Sequence, residues 1–515
     1  MRSWLKSYSL PILSGILIGT SYIPFPPWSL FFCLIPLLIF WSRETSWKKI
    51  LIGGWLTQFI LNAIGFHWIA YTTVTFGRLP WAVGLLVLLL FCSLAHLYYP
   101  IAGFIWHYLT KKFNLSRPTS LLVFPLIFVF CERIYPYLFY WHFGYPWLWA
   151  RLPGYHLASW IGFVGLDLIT IYINILLFAY WQGREPNSWR KSPAFIGAFV
   201  LFIGTNLLGF IQSQFPTQTD QKLKVVAVQG NIGNLEKAYA EHGNRYVESI
   251  VNTYIDLTEK ALLENPGTDL VIWPETAFPE MIYPNRLGRE RQRLAQLTEK
   301  YDFHLLTGAY QRKSITYKAF NGIVLMKGDK NLGSYQKTHL LAYGEYLPFG
   351  ETFPQLKKML PMVSDFGRGD GPVVIDYEKA KIGAQICYEG LFDEFSTEQQ
   401  RNGAQIYVNI TNDSWFGWPF EPYQHMFMTL ARAVENQRPM VRVTNTGVTT
   451  VALPTGKTLE MSPHAVPWYG VYEVPFAATP PSTFYVRLAM NWTWILFFLV
   501  GLAISGDRLA RTEKH

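Results

Sequence analysis

Apolar residues occur along this chain in blocks, and the blocks limit what it can fold into. Seven apolar segments (residues 10–23, 29–41, 50–71, 81–109, 120–130, 157–181 and 194–211) fill the N-terminal part, an eighth covers 486–504, and the stretch 214–485 between them is hydrophilic. With 50% hydrophobic and only 15% charged residues, a wholly water-soluble fold would have to hide a very large apolar excess. Several blocks reach the roughly 20 residues that cross a bilayer. They predict about eight spanning helices, seven before the polar stretch and one after it. The expected organisation is a transmembrane region at 1–213, a folded polar domain at 214–485, and a last transmembrane helix with a tail at 486–515.

The placement of basic residues orients this arrangement. If the N-terminus is cytoplasmic, the connections on that side hold Arg43, Lys48 and Lys49, then Lys111, Lys112 and Arg117, then Arg184, Arg190 and Lys191. The tails add Arg2, Lys6, Arg508, Arg511 and Lys514, whereas the opposite short loops carry only Arg78, Arg133 and Arg151. The positive-inside rule then puts both termini inside and the polar domain outside. The formal charge of +9 follows largely from this inner-face bias, so no nucleic-acid partner is expected. Residues 1–23 have a basic start and an apolar middle with no small-residue cleavage site after them, which reads as an uncleaved anchor.

The polar stretch alternates β-rich and helical patterns. Strands are expected at 224–229, 270–273, 304–307, 322–326, 381–386, 406–409, 440–444 and 448–453, with amphipathic helices at 246–263, 287–301, 391–402 and 425–436. This is a layered α/β pattern. Cys387 closes one expected strand and is the only cysteine of the stretch; Cys33, Cys92 and Cys131 lie in or beside apolar blocks. Without an intradomain partner it reads as a free thiol, either a buried structural residue or a nucleophile. A nucleophilic thiol needs a base and a positive neighbour. Glu275 ends the run Leu270-Val-Ile-Trp-Pro-Glu, and Lys337 follows the β-prone Ser334-Tyr-Gln. All three candidates thus sit at strand ends, where α/β sheets gather catalytic side chains. No Cys/His group has zinc-site spacing, His339 and His425 stand alone, and no glycine loop suits a phosphate, so neither a metal nor a cofactor is expected.

The order Trp273-Pro274-Glu275, Lys337 and Cys387-Tyr388-Glu389 resembles the Glu-Lys-Cys triad of the nitrilase superfamily. Flanked by about eight spans, it resembles the membrane-embedded branch of that superfamily, the apolipoprotein N-acyltransferases. Val228-Gln-Gly-Asn-Ile, Gly344-Glu345-Tyr-Leu-Pro-Phe, Thr411-Asn-Asp-Ser-Trp-Phe-Gly and Phe143-Gly-Tyr-Pro-Trp-Leu agree, and their shared order makes the match more specific than any one string.

The resemblance implies an α-β-β-α sandwich on a helical membrane bundle, held in a bacterial inner membrane with the catalytic domain on the extracytoplasmic side. It implies that Glu275 is the general base and Cys387 the nucleophile, which takes an acyl group from a membrane phospholipid as a thioester. The acceptor would be the α-amine of a diacylated apolipoprotein. Lys337 and the backbone N–H of Tyr388 would stabilise the oxyanion, with Glu345 positioned at the triad and Glu389 beside the nucleophile. A membrane-tethered amidase using water would employ the same triad. Residues 348–372 mix Phe353, Leu356 and other apolar side chains without a clear regular pattern and are expected to form a lid touching the lipid bilayer. Trp415 and Phe416 are further candidates for substrate access, with core packing as the competing reading.

Overall fold

The computed structural model describes the chain except for residues 1, 76, 137, 184–190, 234–243, 284–287, 313–316, 361–362, 418 and 513–515. It divides into two compact units, one comprising Met1–Phe215, Pro419–Glu421 and Arg487–His515, the other Pro216–Trp418 and Pro422–Val486.

The first unit is helical. Among the described residues, four helices are long and apolar enough to cross a membrane: Trp81–Lys112, Pro153–Gly183, Pro193–Ser213 and Phe484–Thr512. A fifth crossing arises if Trp47–Gly65 and Trp68–Thr75, bent by 58°, form one broken span. By this test the expected count of about eight is not confirmed, and two of the remaining helices show why. Ile35–Arg43 has only nine residues, about 14 Å at 1.5 Å per residue against a hydrocarbon thickness of about 30 Å. Arg117–Ile134 carries Arg117, Glu132 and Arg133 within 18 residues. Three of the four long helices hide little of their apolar surface, 17–22% of the window, while Pro153–Gly183 is 67% buried and forms the centre.

Inside this unit several buried polar side chains are paired. His142 Nδ1 stands 2.9 Å from Asp167 and 3.5 Å from Glu132, and the Gly144 N–H donates to Asp167 at 2.5 Å. Buried charges are tolerated when paired and hydrogen-bonded in this way. Asp507, near the end of the last helix, accepts from the Ser116 N–H at 3.1 Å and from Thr119 Oγ1 at 2.7 Å. It thus satisfies donors at the start of Arg117–Ile134 and complements the positive end of that helix.

The second unit carries twelve strands among the described residues: β1 Gln221–Gln229, β2 Leu270–Ile272, β3 Phe278–Ile282, β4 His304–Gln311, β5 Phe320–Lys327, β6 Lys330–Gln336, β7 Val374–Tyr377, β8 Ala380–Ile386, β9 Ile406–Thr411, β10 Met440–Thr444, β11 Thr450–Ala452 and β12 Trp468–Phe476. They form two mixed sheets. One runs β12-β1-β2-β4-β5-β6, with β3 joined to β4; the other runs β11-β10-β9-β8-β7. β1, β2 and β4 are mutually parallel, as are β8, β9 and β10; β3 pairs with β4 in parallel, and the other pairings are antiparallel. Ile250, Val251 and Tyr254 of helix Asn244–Glu264, with Leu294 and Leu297 of helix Arg289–Lys300, pack on Val226, Val271, Leu305 and Val324 of the first sheet. Helix Asp393–Arg401 closes on the second sheet through Ser396 and Gln399, both bound to Gln385 at 2.9 Å.

This topology decides where chemistry can gather. β2 and β4 are parallel, β5 reverses and β6 returns, so the carboxyl ends of β2 and β6 share one edge with the start of β5. Glu275 follows β2, Lys337 follows β6, and Asn321 opens β5.

Candidate active site

The hairpin of β5 and β6 is registered by the Lys337 N–H, which donates to the Asn321 carbonyl at 2.8 Å. The Lys337 ammonium then reaches Glu345 Oε1 at 2.8 Å and Glu275 Oε1 at 3.3 Å. Asn321 Nδ2 donates to the same two oxygens, at 2.7 Å to Glu275 and 3.0 Å to Glu345. The second oxygen of Glu275 accepts from the Asn412 N–H at 3.0 Å, and that of Glu345 from the Leu341 N–H at 2.9 Å. Lys337, Glu275 and Glu345 are all buried. A close approach of backbone allows this: a Cβ on Gly308 of β4 would lie 2.7 Å from Glu275 Cα.

Cys387 enters from the second sheet, directly after β8. Its φ is +53°, a left-handed conformation costly for a residue with a side chain. One acceptor and one donor clamp the turn. Glu389 Oε2 takes the Ile386 N–H at 2.8 Å, and Asn409 Nδ2 donates to the Cys387 carbonyl at 3.0 Å. The other oxygen of Glu389 accepts from Tyr335 Oη at 2.5 Å, the Thr338 N–H at 2.7 Å and the His339 N–H at 3.0 Å. Glu389 therefore ties the nucleophile turn to the segment that carries Lys337.

The electrostatics do not favour a resting thiolate. Burial and the Glu275 carboxylate push the Cys387 thiol well up, outweighing Lys337 and a hydrogen bond to Thr411. Burial works against the Lys337 charge, yet Glu275 and Glu345 overcome it and hold the ammonium well above its ordinary value. The lysine, shared by two carboxylates, favours the thiolate without overcoming burial and Glu275. The thiol needs a base at the moment of reaction. Burial also pushes the Glu389 carboxyl up to about 7, against Lys337 and the donors around it.

The remaining candidates separate. Tyr388 is buried next to Cys387, and its ring packs edge-on against Phe392 with 4.9 Å between centroids. Phe353 is 54% exposed, and Leu356 is half-buried on the short helix Pro354–Met359. The stretch expected to lack regular structure thus contains one, and residues 361–362 lie outside the described residues. Its far end is stitched to the site: Phe366 N–H donates to the Glu345 carbonyl at 3.1 Å and Gly369 N–H to the Lys337 carbonyl at 2.8 Å. Trp415 is half-buried and Phe416 is buried.

Sequence reasoning passed over Asn321, Asn409 and Arg442. Each had a signal, a polar residue inside an otherwise apolar strand, as in Phe320-Asn-Gly-Ile-Val-Leu-Met and Met440-Val-Arg-Val-Thr. Buried polar groups in such strands must have partners.

Comparison with known proteins adds a second line. The carbon-nitrogen hydrolase family model matches residues 216–467, and that of the apolipoprotein N-acyltransferase N-terminal domain matches residues 14–176. The apolipoprotein N-acyltransferase of Bdellovibrio bacteriovorus is 44% identical over 530 residues, covering 98% of this chain and 96% of that protein. The one from Geobacter metallireducens is 32% identical over 474 residues, covering 89% and 87%.

Proposed function

The chain belongs to the apolipoprotein N-acyltransferase family, and from that premise we propose that Cys387 carries an acyl group from a membrane phospholipid to the α-amine of an N-terminal diacylglyceryl-cysteine. It is an acyltransferase of lipoprotein biosynthesis with a nitrilase-like domain. The observation that carries the reading is the buried pair of Lys337 and Glu275, 3.3 Å apart, together with the buried Cys387 directly after β8.

In the first half-reaction Glu275 takes the thiol proton, and the sulfur attacks the ester carbonyl. Lys337 and the Tyr388 N–H receive the developing oxyanion. Collapse breaks the C–O bond, Glu275 returns the proton to the departing oxygen, and lysophospholipid leaves. In the second half-reaction the free amine attacks the thioester and Glu275 removes its proton. The C–S bond breaks, the proton passes to sulfur, and the amide departs. Glu345 and Asn321 hold Lys337 and Glu275 in register throughout.

Exposed Phe353 and its neighbours at 348–372 would meet lipid at the entrance. The remaining apolar helices would complete a bundle of about eight in a bacterial inner membrane, with both termini inside and residues 214–485 outside. A reporter fused near Gln218 should then read extracytoplasmic and one after Arg511 cytoplasmic.

The chemical test is the acceptor. A peptide beginning with diacylglyceryl-cysteine should be acylated, and the same peptide with its amine acetylated should not. Equal consumption of phospholipid in both, with fatty acid released to water, would identify a hydrolase instead.

A further inference from the structure

Asn409 lies on β9 opposite Gln385 of β8, and both ends of its amide are committed. Nδ2 donates to the Cys387 carbonyl at 3.0 Å, while Oδ1 accepts from Arg442 Nη1 at 3.0 Å. Arg442 is itself fixed, with Nη2 2.8 Å from Asp413 Oδ2. Asp413 Oδ1 is 3.0 Å from His425 Nδ1. Asn409, Arg442, Asp413 and His425 are all buried. A cation on the oxygen side settles which way the amide faces, because a flipped Asn409 would turn its NH2 toward the guanidinium. Burial raises the cost of any such mismatch.

We propose that Asn409, locked by Arg442 and Asp413, is a positioning residue that aims the Tyr388 N–H at the oxyanion. The Cys387 carbonyl and the Tyr388 N–H belong to one peptide unit. In a trans peptide these two groups point in opposite directions. Drawing the carbonyl toward Asn409 therefore turns the N–H away from β9. From the other side Glu389 holds the Ile386 N–H at 2.8 Å, so the turn is gripped before and after the nucleophile. The grip matters because Cys387 sits at φ +53°, and a non-glycine residue stays there only when its surroundings over-determine it. Thr429 and the Asn409 amide also crowd Gly390, where a Cβ would lie 2.7 Å from Thr429 Cγ2 and 3.1 Å from Asn409 Nδ2.

The inference rests on thioester formation at Cys387 and is separable from it. Acylation of the thiol builds an oxyanion; alkylation by iodoacetamide, a displacement at saturated carbon, does not. In full-length Asn409→Leu the rate of thioester formation from phospholipid should fall on the order of tenfold to a hundredfold, below the roughly 10²–10³-fold for outright loss of one oxyanion donor because the N–H is misaimed rather than removed. Alkylation of Cys387 in the same preparation should change by less than about twofold, since the thiol and its base are untouched. A parallel fall in both rates would overturn the proposal, because Asn409 would then hold the thiol itself. Unchanged rates would overturn it as well. If Asn409→Leu does not fold, Arg442→Lys decides: the lysine keeps a charge against Asp413 but loses the fork that grips Asn409, and the same divergence of the two rates is required. Absence of any thioester in the wild-type protein would sink the acyl-transfer mechanism, whereas a wild-type thioester with an unaltered ratio in the variant would sink only the role of Asn409.

Discussion

Leu86, Leu90, Phe199 and Val200 of the helical unit are 58–64% exposed, while Lys337, Glu389, Asp413 and Arg442 of the strand-bearing unit are at most 2% exposed. The two units invert the usual rule in opposite ways. Apolar side chains at the surface of long helices are stable where the surroundings are hydrocarbon, and four helices here have the length and hydropathy for that. Charges in a protein interior are stable only when paired and hydrogen-bonded. The ions named here have such partners: Lys337 has Glu275 and Glu345, Arg442 has Asp413, and Glu389 accepts from the Tyr335 hydroxyl and three backbone N–H groups. One unit is adapted to its solvent, the other to a reaction.

The comparison can be broken at several points, the largest effect being catalytic. Glu275→Gln should lower acyl transfer by about 10²–10⁴-fold, the usual contribution of a general base, with little change in the melting profile. Because burial and Glu275 hold the Cys387 thiol well up, alkylation of wild-type Cys387 should keep accelerating above pH 9, where an ordinary thiol levels off.

Next in size is the cost of unpairing a buried charge. Lys337→Ala leaves Glu275 and Glu345 facing each other, with Asn321 as their shared donor. Equilibrium unfolding should show a loss of about 3–5 kcal/mol in addition to lost activity. Wild-type stability in this variant would mean that the site is wetter than its burial indicates.

The helical unit should respond to the opposite change. Leu86→Arg places a charge on an exposed face of Trp81–Lys112 and should cost about 2.5–3.5 kcal/mol in a membrane-insertion assay. Phe353→Ser, equally exposed but in the other unit, should shift stability by no more than about 0.5 kcal/mol while slowing transfer from phospholipid. Equal tolerance at both positions would remove the distinction between the surroundings of the two units.

The smallest effect concerns acid. Burial would raise the Asp413 carboxyl, but Arg442 and His425 overcome it and bring it down to about 2. A carboxyl held lower in the folded than in the unfolded state binds fewer protons there, so its contribution is complete above an ordinary value near 4. That contribution fades as pH falls toward about 2. Stability measured between pH 4 and pH 2 should decline less steeply in Asp413→Asn than in the wild type, from a lower starting point.

Much of this was readable in the residues, and what was missed has physical causes. Glu275 and Cys387 stand at strand ends because short β-branched runs precede them, a local signal. β10 at Met440–Thr444 matches its expected bounds. β3, β7 and β12 were overlooked: Pro279 and Pro475 weaken two of them as strand signals, and β7 has only four residues. β12 is stabilised by nine antiparallel pairs with β1, far away in sequence, which no local pattern reports. The span count is left open because hydropathy blocks do not reveal a nine-residue helix at Ile35–Arg43 or a 58° break after Gly65. Asn321 and Asn409 act through partners brought together only by the sheets.

The central claim is that Cys387 carries the acyl group and waits for an amine. Purified full-length protein given labelled phospholipid without any acceptor should release about one equivalent of lysophospholipid per active site, retain the acyl label in a bond cleaved by hydroxylamine, and then stall. Cys387→Ala should do neither. Continuous release of free fatty acid, or label retained in Cys387→Ala, would contradict the account.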